Sequence, residues 1–202
     1  MSKHVILSSA YFPPVCYFSA IAQAEKVLVD LNECYQKQSY RSRTVILSAN
    51  GPLSLIVPVK KVVPFTTSIS EVRIDYKMPW QRNHWRALTA AYNNSPYFLY
   101  YQDYISGFFE EKPELLVDFN SNILKILLKL LKINTPIEFS RLQTIEEMGD
   151  MIDFRQKIHP KREVPIVTPP YSQVFQDKFG FIEQMSILDL LFNEGPMASR
   201  YL

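Results

Sequence analysis

Glycine is scarce in this sequence, at five residues in 202. Phosphate cradles made of backbone N–H groups depend on glycine, and neither a P-loop nor a GxGxxG fingerprint occurs. Cysteine is scarcer. Cys16 and Cys34 stand far apart with no CxxC, which predicts two reduced thiols in a cytoplasmic protein rather than a disulfide framework. The three histidines, His4, His84 and His159, are scattered, with no HExxH and no ligand spacing, so no metal site is expected. An excess of one charge is lacking too: the formal net charge is +2, too small for the basic face of a nucleic-acid binder. Long apolar runs are missing. Val5-Ile6-Leu7 falls short of the roughly 7–15 apolar residues of a signal peptide. The Leu-rich stretch near residue 124 carries Lys125, Lys129 and Lys132, which excludes a bilayer span of about 20 apolar residues. No GxSxG elbow marks a hydrolase nucleophile.

What is present describes a globular chain. Hydrophobic residues at 47% and charged residues at 21% exclude disorder. The length suits one substantial core, so residues 1–202 are expected to form a single domain.

Val5-Ile6-Leu7 reads as a strand buried on both faces. Tyr11-Phe12-Pro13-Pro14 breaks it, and a helix is expected from about Pro14 to Glu25, proline being suited to a first helical position. Val27-Leu28-Val29-Asp30 follows as a second strand, giving a parallel pair with a crossover helix. Asn50-Gly51 lies between Arg43–Leu47 and Leu53–Val57 and predicts a tight type I′ hairpin. Pro58 and Pro64 cannot donate to a ladder and place this part at a sheet edge. Val72 and Ile74 suggest another half-buried strand.

Helices dominate beyond this point. Segments are expected over Trp80–Tyr92, Tyr97–Phe109 and a long stretch opened by Pro113, whose lysines form a solvated face. The stretch from 150 to 170 reads as irregular. Ser186-Ile187-Leu188-Asp189 resembles a capping box, with Gly195-Pro196 ending that helix. The expected fold is α/β: a small, mostly parallel sheet, an antiparallel edge hairpin and a helical C-terminal half.

Two segments could carry chemistry. In Tyr35-Gln36-Lys37-Gln38-Ser39-Tyr40-Arg41-Ser42-Arg43, the cations Lys37, Arg41 and Arg43 follow the carboxyl end of a parallel strand, where open α/β sheets bind ligands. Their chemistry suits phosphate or carboxylate; the alternative is a solvated loop whose stems cover apolar surface. In Trp80-Gln81-Arg82-Asn83-His84-Trp85-Arg86, His84 shares a helix face with Trp80 and Leu88 and is either a general base or a packed histidine. Arg82 and Arg86, four apart, repel unless an anionic ligand or partner faces them. Tyr97, Tyr100, Tyr101 and Tyr104 fall at helical spacing and read as core and rim.

Several segments together resemble the WbqC-like family across nearly the whole chain. They are Tyr11-Phe12-Pro13-Pro14-Val15-Cys16-Tyr17-Phe18, Tyr35-Gln36-Lys37 with Arg41 and Arg43, Asn50-Gly51, and Leu55-Ile56-Val57-Pro58-Val59. Trp80, His84, Ala91-Tyr92, Ser95-Pro96-Tyr97-Phe98 and the tail from Ser186 to Pro196 complete the set. The resemblance implies a bacterial protein associated with surface polysaccharides, acting near nucleotide-sugar or amino-sugar modification. The chain departs from longer members at Ser9-Ala10, at Ser42-Arg43 and over Asp153-Phe154-Arg155-Gln156-Lys157-Ile158-His159-Pro160.

The combined expectation is a group-transfer enzyme of O-antigen-type polysaccharide biosynthesis acting on an anionic, nucleotide-linked substrate. His84 and Lys37 are the catalytic candidates. Tyr11, Tyr35, Gln36, Arg41, Arg43 and Trp80 are the substrate-binding candidates, and no cofactor is assigned. His84 is expected to face one cleft with the three cations, and removal of Lys37 or Arg41 to weaken binding with little loss of stability. The alternative is a non-catalytic binding or scaffold protein of the same pathway. Neither membrane insertion nor nucleic-acid binding is expected.

Overall fold

The computed structural model describes residues 4–63, 65–140, 151–163 and 165–202. Strand β1 (His4–Ser8), helix α1 (Val15–Ala22) and strand β2 (Lys26–Asp30) form the expected opening unit. β1 and β2 run parallel in the register Val5↔Val27 and Leu7↔Val29. Their central residues are buried on both faces, which is why the runs are continuously apolar rather than alternating.

Strands β3 (Arg43–Ser48) and β4 (Gly51–Ile56) form the expected antiparallel hairpin. The hairpin makes a two-stranded sheet of its own instead of lying on the edge of the parallel one. Its turn also differs from a type I′ turn. Gly51 has φ +99°, whereas Asn50 is not among the residues with positive φ. A glycine in that region directly after a two-residue turn is the bulge solution to hairpin twist. Ser48 locks it, its hydroxyl donating to the Gly51 carbonyl at 2.8 Å. Pro64 lies outside the described residues. The strand expected around Val72 and Ile74 is reduced to single bridges, Val59↔Ile74 and Arg73↔Leu115.

Helices α2 (Trp80–Tyr92), α3 (Phe98–Ser106) and α4 (Leu116–Leu130) fill the middle of the chain. α4 buries Leu116, Phe119, Ile123, Leu124 and Leu127 and exposes Lys125 and Lys129, as its periodicity requires. Two further parallel strands have no counterpart in the sequence reading: β5 (Ile137–Ser140) beside β2, and β6 (Ile152–Asp153) beside β1. Two to four residues carry too little pattern to distinguish a strand from a loop. The four-stranded sheet has the order β5-β2-β1-β6 and is parallel throughout. Helices α5 (Gln176–Phe179) and α6 (Ile187–Glu194) follow. Half of the expected capping box forms at α6. The Ser186 hydroxyl accepts from the Leu188 N–H, while Asp189 turns inward and accepts from Tyr171 at 2.7 Å and Gln173 at 2.8 Å.

The core spans both sheets. Tyr11, Phe12, Phe18, Tyr92, Phe98, Phe119 and Phe192 are among its largest fully buried members. Phe12 stands at φ +38° in the loop after β1. Its carbonyl is held there by Thr44 Oγ1 at 2.7 Å and Ser186 Oγ at 3.1 Å, and its ring by Phe108 and Phe109. This ties the parallel sheet to the hairpin and to α6.

Candidate functional site

The chain moves from β1 to β2 and β5 in one direction, and β6 returns on the other side of β1. The switch point therefore lies between β1 and β6, and ligands of open α/β sheets bind outside the strand carboxyl ends at such a point. Here those ends carry Ser8, Asp30 and Asp153, and a charged network occupies the edge. Arg155 pairs with Asp30 and, at 2.8 Å, with Asp153. Arg41 forks onto Glu33, its Nε 3.0 Å from Oε1 and its Nη2 bonded to Oε2. The Ser8 hydroxyl lies 3.1 Å from Glu33 Oε2 and 3.0 Å from the Arg155 carbonyl oxygen. Asn120 on α4 donates to Ser9 Oγ at 3.1 Å and to the Arg41 carbonyl at 2.8 Å. Burial pushes the Glu33 carboxyl above its ordinary value, and the Arg41 charge pulls it back.

Beside this edge lies an open cleft of about 300 Å³, walled by Tyr35, Lys37, Ser42 and Arg43 on one side and by 56–59 on the other, with Gln38 at its rim. The long polar segment after β2 thus supplies the polar wall, and the end of β4 with the residues that follow it supplies the apolar one. The Tyr35 hydroxyl and Ser42 Oγ are 2.8 Å apart and fix the buried end. Arg43 Nε is buried and has no hydrogen-bond partner among the described residues. None of the lining residues is acidic.

The predicted site residues divide into three groups. Tyr35, Lys37 and Arg43 line the cleft, and Gln36 is half-buried beside it. Arg41 does not face the cleft: it is 2% exposed and committed to Glu33, so it corrects the expectation of three cations at one ligand. Tyr11, Trp80 and His84 are buried together beneath the lining. The Tyr11 hydroxyl is 2.9 Å from His84 Nδ1, and the Trp80 and His84 rings are 5.1 Å apart.

His84 also bonds the backbone of Ile56, a lining residue, and this contact raises its pKa slightly against a larger lowering by burial, to about 4. It is therefore neutral at physiological pH. A base that weak and that enclosed sits far from the near-neutral value that proton transfer favours. His84 is not among the residues that line the cleft, so the expectation that it faces the cleft with the cations is corrected. Its apolar helix face was the visible signal for this.

The sequence reading missed Asp30, Glu33, Ser8, Asn120, Arg155 and Asp153. A polar residue ending a buried strand, such as Asp30, was the available signal. Arg155 could be placed only once β6 is known.

Among the described residues no group of His, Cys, Asp and Glu could hold a metal ion, and no helix is long and apolar enough to cross a membrane. No solved structure matches this one. Over its full length the chain is 26% identical to the uncharacterized protein Rv1507c of Mycobacterium tuberculosis, of which it covers 98%. The family described as WbqC-like matches residues 8–162, taking in both walls of the cleft, the charged edge and the His84 cluster but not the tail from Ser186. Since that match spans most of its length, the chain belongs to the WbqC-like protein family.

Proposed function

We propose that this protein binds an anionic small molecule in the cleft between Lys37 and Arg43, in a group-transfer step of bacterial surface-polysaccharide biosynthesis on an amino sugar or nucleotide sugar. The observation that carries the reading is the cleft itself. Two cations line it with no carboxylate opposite, and the buried Arg43 Nε lacks a partner. A buried guanidinium N–H left unpaired costs free energy that an anion would recover. The walls at 56–59 suit the apolar face of a sugar or base. The polysaccharide setting comes from the family.

Thermal denaturation with added phosphate, sulfate, nucleotides and nucleotide sugars tests it. A ligand at 100 times its Kd adds about 2.7 kcal/mol, or about 5–11 °C for a chain of this size. Lys37→Ala and Arg43→Ala should remove that shift. No shift with any of these anions would overturn the reading.

A second reading, a non-catalytic binding or scaffold protein, is favoured by two observations. His84 is enclosed and held by burial at about 4, far from the near-neutral value that a general base needs. Helix α3 presents Leu99, Tyr100 and Tyr104 to solvent, with 67%, 66% and 52% of their surface exposed. Ligand binding without turnover of any nucleotide sugar would favour this reading over the first.

A further inference from the structure

The cleft does not end at Lys37 and Arg43. Gln38, at its rim, stands at φ +58°, a left-handed conformation uncommon for a residue with a side chain. Its Oε1 accepts from the Lys161 ammonium, so the loop after β6 closes against the cleft mouth. Gln184 holds the same loop from the other side, its Nε2 donating to the Arg162 carbonyl at 3.4 Å. Within the loop, the Lys161 backbone N–H donates to His159 Nδ1 at 3.2 Å. That contact makes Nδ1 the acceptor and leaves the ring proton on Nε2.

His159 is only partly buried. Burial lowers its pKa, and so do the charges of Arg162, Arg41, Lys161 and Arg43, in that order. Arg41 is answered by Glu33. Lys161 and Arg162 are exposed, as Lys37 is, and Arg43 is partly so. Four cations thus gather about one cleft mouth in a chain whose net charge is +2. These cations come from two segments, Lys37 and Arg43 from the cleft wall and Lys161 and Arg162 from the loop after β6, and a ligand that answers both pairs carries an anionic group for each.

Resting on the reading that the cleft binds an anion, we propose that its ligand carries a diphosphate group. Lys37 and Arg43 hold one phosphate, and Lys161, Arg162 and the Nε2–H of His159 hold the other. Lys161 and Arg162 give direct charge-assisted bonds, and the neutral imidazole adds a donor without adding charge.

The test is calorimetric titration of the full chain with inorganic pyrophosphate and with inorganic phosphate, for wild type, Lys161→Ala, Arg162→Ala and His159→Gln. Pyrophosphate should bind at least about tenfold more tightly than phosphate. Lys161→Ala and Arg162→Ala should each weaken pyrophosphate about tenfold or more and leave phosphate, held by Lys37 and Arg43, nearly unchanged. His159→Gln should weaken pyrophosphate less than either, since it removes a neutral donor. Uridine diphosphate with the same dependence on Arg162 assigns the group to a nucleotide; binding of pyrophosphate alone assigns it to a free diphosphate. Equal affinity for the two inorganic anions, or wild-type pyrophosphate binding by Lys161→Ala and Arg162→Ala, overturns the two-phosphate site while sparing the anion cleft. Failure of both anions to bind overturns the two together.

Discussion

Replacing Arg41 by alanine would leave the Glu33 carboxylate buried and without its partner. The side chains are 2% and 6% exposed, and the guanidinium bonds both carboxylate oxygens. Removing one member of such a pair costs about 3–5 kcal/mol, because the remaining charge is neither solvated nor compensated. For a chain of about 200 residues that lowers the melting midpoint by about 6–20 °C. The effect has a pH signature. A carboxyl whose folded pKa is raised contributes stability in its neutral form below the unfolded value and loses it as pH rises through the folded one. Glu33 is already raised by burial, and loss of Arg41 removes the main opposing influence. The deficit of Arg41→Ala relative to wild type should therefore narrow as pH falls from 7 toward 5. Combining Arg41→Met with Glu33→Gln should recover most of the loss, since two neutral groups remain. Urea denaturation of the three proteins at both pH values measures this directly. A deficit below about 1 kcal/mol, or one independent of pH, would refute a buried ion pair and restore Arg41 to the surface role its sequence suggested.

Other outcomes follow from single positions. Gly195 has φ +53°, and a Cβ there would lie 2.5 Å from the Tyr97 ring; Gly195→Ala should cost about 2–4 kcal/mol in chemical denaturation. Gly51→Val should cost about 1–2 kcal/mol from φ +99° alone, since its Cβ would meet only Phe179 at 3.9 Å, while Asn50→Ala should stay within about 0.5 kcal/mol. Burial holds His84 near 4, so the unfolded chain binds the extra proton below about 6.5; stability should fall by about 3 kcal/mol between pH 6.5 and 4, and His84→Gln should flatten that slope. Of the two free thiols, exposed Cys34 should react with Ellman's reagent in the native state, while Cys16, buried and raised to about 12, should react only after unfolding.

Local chemistry was readable wherever it decides structure by itself. The apolar runs at β1 and β2, the proline before α1 and α2, the amphipathic stripe of α4 and the glycine at Gly51 each act over a few residues. Their positions in the sequence therefore determined a parallel pair, a hairpin and a set of helices. The same reading located the polar segment from Tyr35 to Arg43 that lines the cleft.

The direction each side chain takes was decided only by tertiary structure. Arg41 and Arg43 look alike in sequence, two residues apart, yet one turns inward to Glu33 and the other faces the cleft. Charge at a position says nothing about whether a buried partner waits for it. Likewise, β5 and β6 exist as strands because β2 and β1 offer unpaired edges, and backbone hydrogen bonding to a preformed edge needs no apolar pattern. Once β6 is placed, Arg155 meets Asp30 from 125 residues away, and the following loop brings Lys161 to Gln38 across 123. Local sequence decided β1 to β4, the long helices and the polar wall of the cleft. Long-range strand pairing, which no local window contains, decided which charges meet one another and which remain for a ligand.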